Sequence, residues 1–238
     1  MYPSSTVLLN QLHQQSTIET MTRARSQFIG TTDEFIVLAD QYNELAPRLR
    51  GKFLRDHGLS SDDAETSQGT SMSLAVSAEM GRFLRNIALS NRASRILELG
   101  SSYGVSTLYF ADALRSLGGG TVIATELDAA KCARLREHVR IAGVDAYVDL
   151  REGDVFDTLA RLDGSFDIVF IDAWADAYLR LFREVERFLR PGSIVLADNM
   201  YTAEDAVQDY KGYVENHPRF TTTTLDFESG VEFTVALG

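Results

Sequence analysis

Two short runs of this chain end in oxygen-bearing side chains where an apolar stretch stops. "FDIVFIDA" closes on Asp172, and "SIVLADNM" closes on Asp198 and Asn199. A carboxylate at the tip of an apolar strand needs a reason. If they gather, two carboxylates and an amide make an oxygen-only set suited to a hard divalent cation, with about three positions left for water and ligand oxygens. The plainer alternative for Asp198-Asn199 is a strand-to-helix turn in which Asn tolerates an unusual backbone angle. Trp174 poses a similar choice, between a ligand-facing ring and a hydrophobe that starts a helix.

A third stretch, "ELGSSYGVST" (98–107), reads as a loop between a strand and a helix. Gly100 permits a tight turn, and Gly104 lets the helix begin close to the sheet. The free N–H groups of that helix start offer a positive dipole end. The spacing is G-x-x-x-G. A dinucleotide fingerprint needs a further glycine where pyrophosphate meets the backbone, and that position is Ser102. No G-K-[ST] follows. A nucleoside without phosphates fits this loop better. Glu126 ends the next strand about 20 residues past Gly104, the spacing of a ribose-hydroxyl acceptor. Its alternative role is a helix-capping carboxylate. Glu98 reads as orienting a ligand amine or the loop, or as an ordinary surface acid.

These residues need elements to carry them, and the pattern from about residue 74 supplies them. A helix is expected over 74–89, with Val76, Met80, Phe83 and Leu84 on one face. Strands follow at 95–100, 121–126, 146–153, "FDIVFIDA" and "SIVLAD", with helices between. Asp128 caps a helix that stops at Gly143. A helix is expected over 175–189, and another opened by Thr202 and Asp205 and running to about 216. The chain closes with "RFTTTTLDF" and "GVEFTVALG" about a turn at Ser229-Gly230. Strand–helix alternation with near-continuous apolar strands predicts an α/β fold with a mostly parallel sheet covered on both faces. In such a sheet ligands bind outside the carboxyl ends of the strands. Glu98, Gly100, Glu126, Gly153, Asp154, Asp172, Asp198 and Asn199 all fall at that edge. Residues 5–57 read as helical and irregular, with Asp33 placed as a cap, and 58–71 as a polar loop.

The totals exclude several classes. A length of 238 residues suits one domain with an extension. The net charge of −11 speaks against a nucleic-acid partner. It is compatible with a cationic ligand, though an acidic surface also serves solubility alone. Cys132 is the single cysteine, so no internal disulfide forms, and it reads as a small core hydrophobe. No apolar run approaches the ~18 residues of a membrane span. The N-terminal "MYPSSTVLLNQLHQQ" has no signal-peptide pattern, so a cytoplasmic location is expected.

The motifs "VSAEMGRFL", "ILELGSSYGVST", "TELD", "EGDVFDTL", "FIDAWADAY" and "VLADNM" stand in an order that resembles class I S-adenosylmethionine-dependent O-methyltransferases. Among these the chain is most similar to the divalent-metal-dependent catechol and caffeoyl-CoA O-methyltransferases. The likeness covers about residues 68–238. It implies a Rossmann-like methyltransferase domain over 66–238, with a seven-stranded sheet and a C-terminal antiparallel hairpin. Residues 1–65 would be a helical extension that covers the site and joins subunits into a homodimer. The resemblance places Val76, Glu98, Gly100, Tyr103 and Ser106 at the methionine end of S-adenosylmethionine, and Glu126 at the ribose. Asp154 and Val155 would lie along the adenine, with Ser101, Gly104, Leu127 and Gly153 completing the cofactor set. Trp174 would lie beside the adenine and the substrate entrance. Asp172 would touch both the cofactor and a Mg²⁺ or similar ion, which Asp198 and Asn199 would also bind. The acceptor would be a small hydroxylated molecule of catechol or secondary-metabolite type.

One position departs from that family. A lysine thought to take the acceptor's proton is expected where this chain has Ala175. Arg180, the nearest basic residue in the segment, stays protonated and makes a poor base. Metal-acidified hydroxyl with water as base, a base from elsewhere (His13, His57 or His217), and a naturally acidic acceptor all stay open. So does a protein that binds S-adenosylmethionine on this scaffold without methyl transfer. An NAD-dependent oxidoreductase is disfavoured by Ser102 and the closing hairpin.

Overall fold

The computed structural model describes residues 6–15, 34, 41, 53 and 76–238. Over 76–238 the elements run α1 (Ala78–Ser90), β1 (Arg95–Leu99), α2 (Val105–Leu117), β2 (Thr121–Glu126), α3 (Ala129–Ala142), β3 (Val148–Glu152), α4 (Val155–Leu159), β4 (Phe166–Ile171), α5 (Tyr178–Val185), β5 (Leu189–Ala197), α6 (Glu204–Asn216), β6 (Phe220–Leu225) and β7 (Val231–Ala236). Seven strands form one sheet in the order β3-β2-β1-β4-β5-β7-β6. The first five are parallel, and β7 runs antiparallel to both β5 and β6. This is the α/β architecture read from the alternation.

Side chains alternate across each strand, so neighbours serve opposite faces. Ile96, Ile168 and Phe170 meet α1, α2 and α3 in one buried cluster. Leu97, Leu99, Val169 and Ile171 meet α5 and α6 in the other. With both faces covered, β1 and β4 are buried at nearly every position. The helical stretch 6–15 joins the first cluster through Leu8, Leu9 and Leu12. The cap and helices expected over 33–57, and the loop at 58–71, lie outside the described residues apart from three single positions.

Local chemistry sets the element ends. Ser77 accepts from the N–H groups of Glu79 and Met80, so α1 begins at Ala78 rather than at 74. Asp128 caps α3 and Gly143 closes it, as read from the sequence. Residues 145–147, expected to open β3, form a 3₁₀ turn. The helix expected over 175–189 is broken. Ala177 N–H donates to the Trp174 carbonyl at 2.9 Å, which makes a 3₁₀ turn of Ala175–Ala177. After α5 a second 3₁₀ turn, Glu186–Phe188, releases the chain into β5, which starts four residues earlier than "SIVLAD" suggests. Neither Thr202 nor Asp205 caps α6: the N-cap is Ala203 with no side-chain bond, and the Thr202 hydroxyl is engaged with Asn199.

Candidate functional site

Strands β2, β1, β4 and β5 present their carboxyl ends side by side, and the predicted residues follow them there. β1 ends beside β4, so Leu99 pairs with Ile171; β5 ends beside β4, so Ala197 pairs with Ile171 from the other flank. The next residues, Gly100, Asp172 and Asp198, are therefore neighbours. Asp172 N–H donates to the Leu99 carbonyl at 2.9 Å, and Asp198 N–H to the Ile171 carbonyl at 3.1 Å. Gly100 has φ +92°, and a Cβ there would stand 2.2 Å from the Asp172 carbonyl oxygen. The loop after β1 can lie against Asp172 only because this residue is glycine.

The side chains of Asp172, Asp198 and Asn199 lie together at this edge, with Asn199 turning its amide nitrogen toward Asp172. Asn199 adopts the left-handed region at φ +68°, the conformation tolerated best by Asn and Gly. That turn brings its Nδ2 to 3.0 Å from Asp172 Oδ1. The Thr202 hydroxyl donates to Asn199 Oδ1 at 3.1 Å. Asp198 Oδ1 accepts the Asn199 N–H at 2.7 Å and a short bond from the Ser229 hydroxyl. Burial pushes the Asp172 carboxyl well up from its ordinary range, and the nearby charges of Asp198 and Glu98 push it further. Burial also raises Asp198, with the Ser229 and Asn199 donors opposing. A half-buried carboxylate, Asp172, and a buried one, Asp198, are thus close enough to repel one another. Among the described residues no group of three His, Cys, Asp or Glu side chains gathers in a way that could hold a metal ion.

The loop 100–104 is fixed from β2. Thr125 Oγ1 donates to the Glu98 carbonyl at 3.1 Å, and the Ser101 N–H and hydroxyl donate to the Thr125 carbonyl at 2.9 and 3.0 Å. Ser102 has φ +45°, and its N–H donates to Glu126 Oε2 at 2.8 Å. Glu126 Oε1 accepts from Asp128 N–H at 2.9 Å. Glu126 thus braces both the loop and the start of α3. Gly104, at φ +84°, would place a Cβ 2.7 Å from Leu135 Cγ, so glycine lets α2 pack close to α3. His138 on α3 donates to the Tyr103 carbonyl at 2.8 Å.

Glu98 is fully buried. Thr107 donates to its Oε2 at 2.5 Å, whereas Oε1 has no hydrogen-bond partner among the described residues. Burial raises its carboxyl to about 7, against the pull of the Ser106, Thr107 and Ser101 hydroxyls. An orphaned carboxylate oxygen beside a free helix start leaves room for a hydrogen-bond donor from a ligand. Ser106 and Val76 are also buried, Val76 just ahead of α1. Farther out, Leu127 and Trp174 are 69% and 60% exposed, unusual for large apolar side chains. Gly153 follows β3 at φ +121°, and Asp154 caps α4 by accepting from Phe156 and Asp157, with Val155 next. Ala175 is partly buried against the second cluster. Arg180 stacks on Phe156, its guanidinium carbon 3.6 Å from the ring centre.

The histidines fall unevenly. His217 packs on Tyr213 and Phe220 at the start of β6. That is the far end of the sheet from Asp172, because it is Leu225 and Val231 that lie near Ala197. It is therefore not a base for this edge. His13 lies 3.4 Å from the Tyr109 hydroxyl, and burial together with Arg82 lowers its imidazole. His57 lies outside the described residues. The sequence reading missed Ser229, Thr125, His138 and Tyr178. Tyr178 is wholly buried, its hydroxyl has no hydrogen-bond partner among the described residues, and burial raises its phenol, with the charges of Asp172 and Asp198 adding to this.

Comparison with known proteins agrees with this geometry. A family model described as a methyltransferase domain matches residues 97–200. The chain is 36% identical over 131 residues to a catechol O-methyltransferase of Niastella koreensis, covering 53% of this chain and 58% of the relative. It is 31% identical over 132 residues to caffeoyl-CoA O-methyltransferase 2 of Zea mays, covering 53% and 49%. The chain thus spans less than two thirds of the length of these relatives. Its fold is similar to that of an O-methyltransferase from Bacillus cereus solved in complex with SAH, at TM-score 0.63 and 25% identity over 68% of this chain and 82% of that one. Residues 97–200 thus match a methyltransferase domain, and the sheet around them has the Rossmann-like fold of solved O-methyltransferases. The motifs' resemblance to the catechol and caffeoyl-CoA O-methyltransferases is thus matched by the relatives to which the chain is similar. No helix among the described residues is long and apolar enough to cross a membrane.

Proposed function

We propose that the protein is an O-methyltransferase that moves the methyl group of S-adenosylmethionine to a hydroxyl of a small acceptor with the help of a divalent cation such as Mg²⁺. One observation carries this reading. Asp172, which packs on the glycine loop through Gly100, also receives the Asn199 amide at 3.0 Å. A single residue therefore joins the nucleoside loop to the oxygen-donor set.

The donor set fits a hard cation. Asp198 is buried and Asp172 half-buried, they repel one another, no ion pair to either is found among the described residues, and carboxylate and amide oxygens suit Mg²⁺. Asp172, Asp198 and Asn199 would hold it. Turning the Asn199 amide over would present its oxygen beside Asp172 and leave its NH₂ to the Thr202 hydroxyl, so the turn costs no hydrogen-bond partner. Such a cation lowers the pKa of a bound hydroxyl and fixes its direction. The protein's own share is alignment, since an in-line displacement gains most from holding the reacting groups in place. Glu98 Oε1, with Ser101 and Ser106, offers acceptors for the methionine ammonium. Glu126 and Leu127 border the ribose, and Gly153, Asp154 and Val155 border the adenine. Tyr103, Gly104 and Val76 close the methionine end, and Trp174 supplies an exposed ring at the entrance.

The test is S-adenosylhomocysteine formation with a panel of catechols and other phenols, with Mg²⁺ and with chelator. Turnover unchanged by chelation removes the cation from the reading. Ala175 favours a second reading, cofactor binding without methyl transfer, because the segment 172–178 carries no basic side chain. Tight S-adenosylmethionine binding with no product from any acceptor supports that one instead.

A further inference from the structure

The turn between β6 and β7 reaches the site from a part of the chain outside the matched methyltransferase region, which ends at residue 200. Its Ser229 hydroxyl donates to Asp198 Oδ1, the same oxygen that accepts the Asn199 N–H at 2.7 Å. Two donors on one carboxylate oxygen engage its in-plane acceptor directions. Oδ2 is then the oxygen left for another partner.

Ser229 is itself held firmly. Tyr201 N–H donates to the Ser229 carbonyl at 2.7 Å, Met200 N–H to the Gly230 carbonyl at 3.0 Å, and Gly230 N–H to the Phe227 carbonyl at 2.9 Å. On the other side, the Ser77 hydroxyl donates to Glu228 at 2.5 Å, and the Phe227 ring packs on Phe83, 5.4 Å between centres. The turn is therefore pinned to the segment after Asn199 and to α1 together. A hydroxyl so placed cannot follow Asp198 if the carboxylate rotates; it fixes the rotation.

We infer that Ser229 is a positioning residue for divalent-cation binding, setting the Asp198 carboxylate so that Oδ2 faces Asp172 and Asn199. The inference rests on the cation reading above. A partner that orients a metal ligand commonly changes metal affinity about 10-fold or more when removed.

The experiment uses the full chain saturated with S-adenosylhomocysteine and Mn²⁺ as the probe, with affinity read by calorimetry and by water-proton relaxation. Ser229→Ala is expected to weaken Mn²⁺ binding about 10-fold, while Ser229→Thr stays within about twofold of the unmodified protein. Ser229→Gly serves as a second hydroxyl-free variant. S-adenosylhomocysteine affinity without metal, and the melting temperature in chelator, are expected to be unchanged. Unaltered Mn²⁺ affinity in Ser229→Ala overturns the inference and leaves the cation reading standing. A loss of Mn²⁺ binding that comes with an equal loss of cofactor affinity and thermal stability overturns it too, by making Ser229 a folding residue. Failure of the unmodified protein to bind Mn²⁺ overturns the cation reading itself.

Discussion

Asn199 donates its side-chain amide to Asp172 Oδ1 across 3.0 Å, although the two residues belong to different strand ends. The bond partly offsets the repulsion between Asp172 and the Asp198 carboxylate next to Asn199. Asp172→Asn should therefore act in opposite directions on two measurements. In chelator at pH 8 the variant should melt about 2–4 °C higher, because one of two mutually repelling carboxylates is gone. Calorimetry with Mn²⁺ should show binding lost. A metal-free melting temperature that drops instead contradicts the repulsion argument.

Glu98 gives a pH dependence with a definite sign. Its carboxyl is held at about 7 in the folded protein against an ordinary 4.5. Below pH 4.5 both folded and unfolded chains carry the proton, and the Glu98 contribution is fully present. Between pH 4.5 and 7 the unfolded chain releases the proton while the folded one keeps it, so stability falls as pH rises. Above about 7 the loss is complete, roughly 3 kcal/mol for a shift of this size. Urea unfolding across this window should show a shallower fall in Glu98→Gln, since only Glu98's share is removed.

Ala175 stands where the related enzymes would carry an amine, partly buried against the second cluster. Ala175→Lys, at a partly buried position next to Trp174, should raise turnover on catechols at neutral pH about 10-fold or more, the low end of general-base effects being about 100-fold. The comparison is kcat for the two proteins at saturating cofactor and Mg²⁺. An unchanged kcat with intact cofactor binding shows that proton removal does not limit the reaction.

Gly100→Ala tests the junction of loop and strand end. A Cβ 2.2 Å from a backbone carbonyl, at φ +92°, cannot be accommodated by rotating a side chain. Destabilisation of roughly 3–5 kcal/mol in denaturant unfolding is expected, with S-adenosylhomocysteine affinity reduced in whatever protein folds. Gly143→Ala is a fit control, since a Cβ there meets nothing within 4 Å although φ is +63°.

What the sequence made legible were features written in short windows. Apolar runs ending at Leu99, Glu126, Ile171 and Ala197 announce strands, and Asp128 with Gly143 brackets a helix within its own neighbourhood. Parallel order then brings Asp172 and Asp198 together without further information. Contacts between distant segments were not legible. Nothing near Ser229 signals that its hydroxyl meets Asp198, and nothing near Thr125 signals that it ties down the loop after β1. Thr202 looked like a helix cap by residue type, but its hydroxyl is taken by Asn199. His217 looked available as a base, yet residue type says nothing of which end of a sheet a helix terminus reaches. The break at 175–177 escaped because a 3₁₀ turn and a helix share nearly the same apolar spacing over so few residues.

The position of β7 between β5 and β6 has a consequence for how the molecule is made. Of the sheet's strands β7 leaves the ribosome last, yet it is an interior one. Until residues 231–236 emerge, β5 has an open flank and Asp198 has no Ser229 to meet. The five parallel strands can assemble earlier on the growing chain, but the site they prepare is finished only when its latest-made strand slides in beside β5.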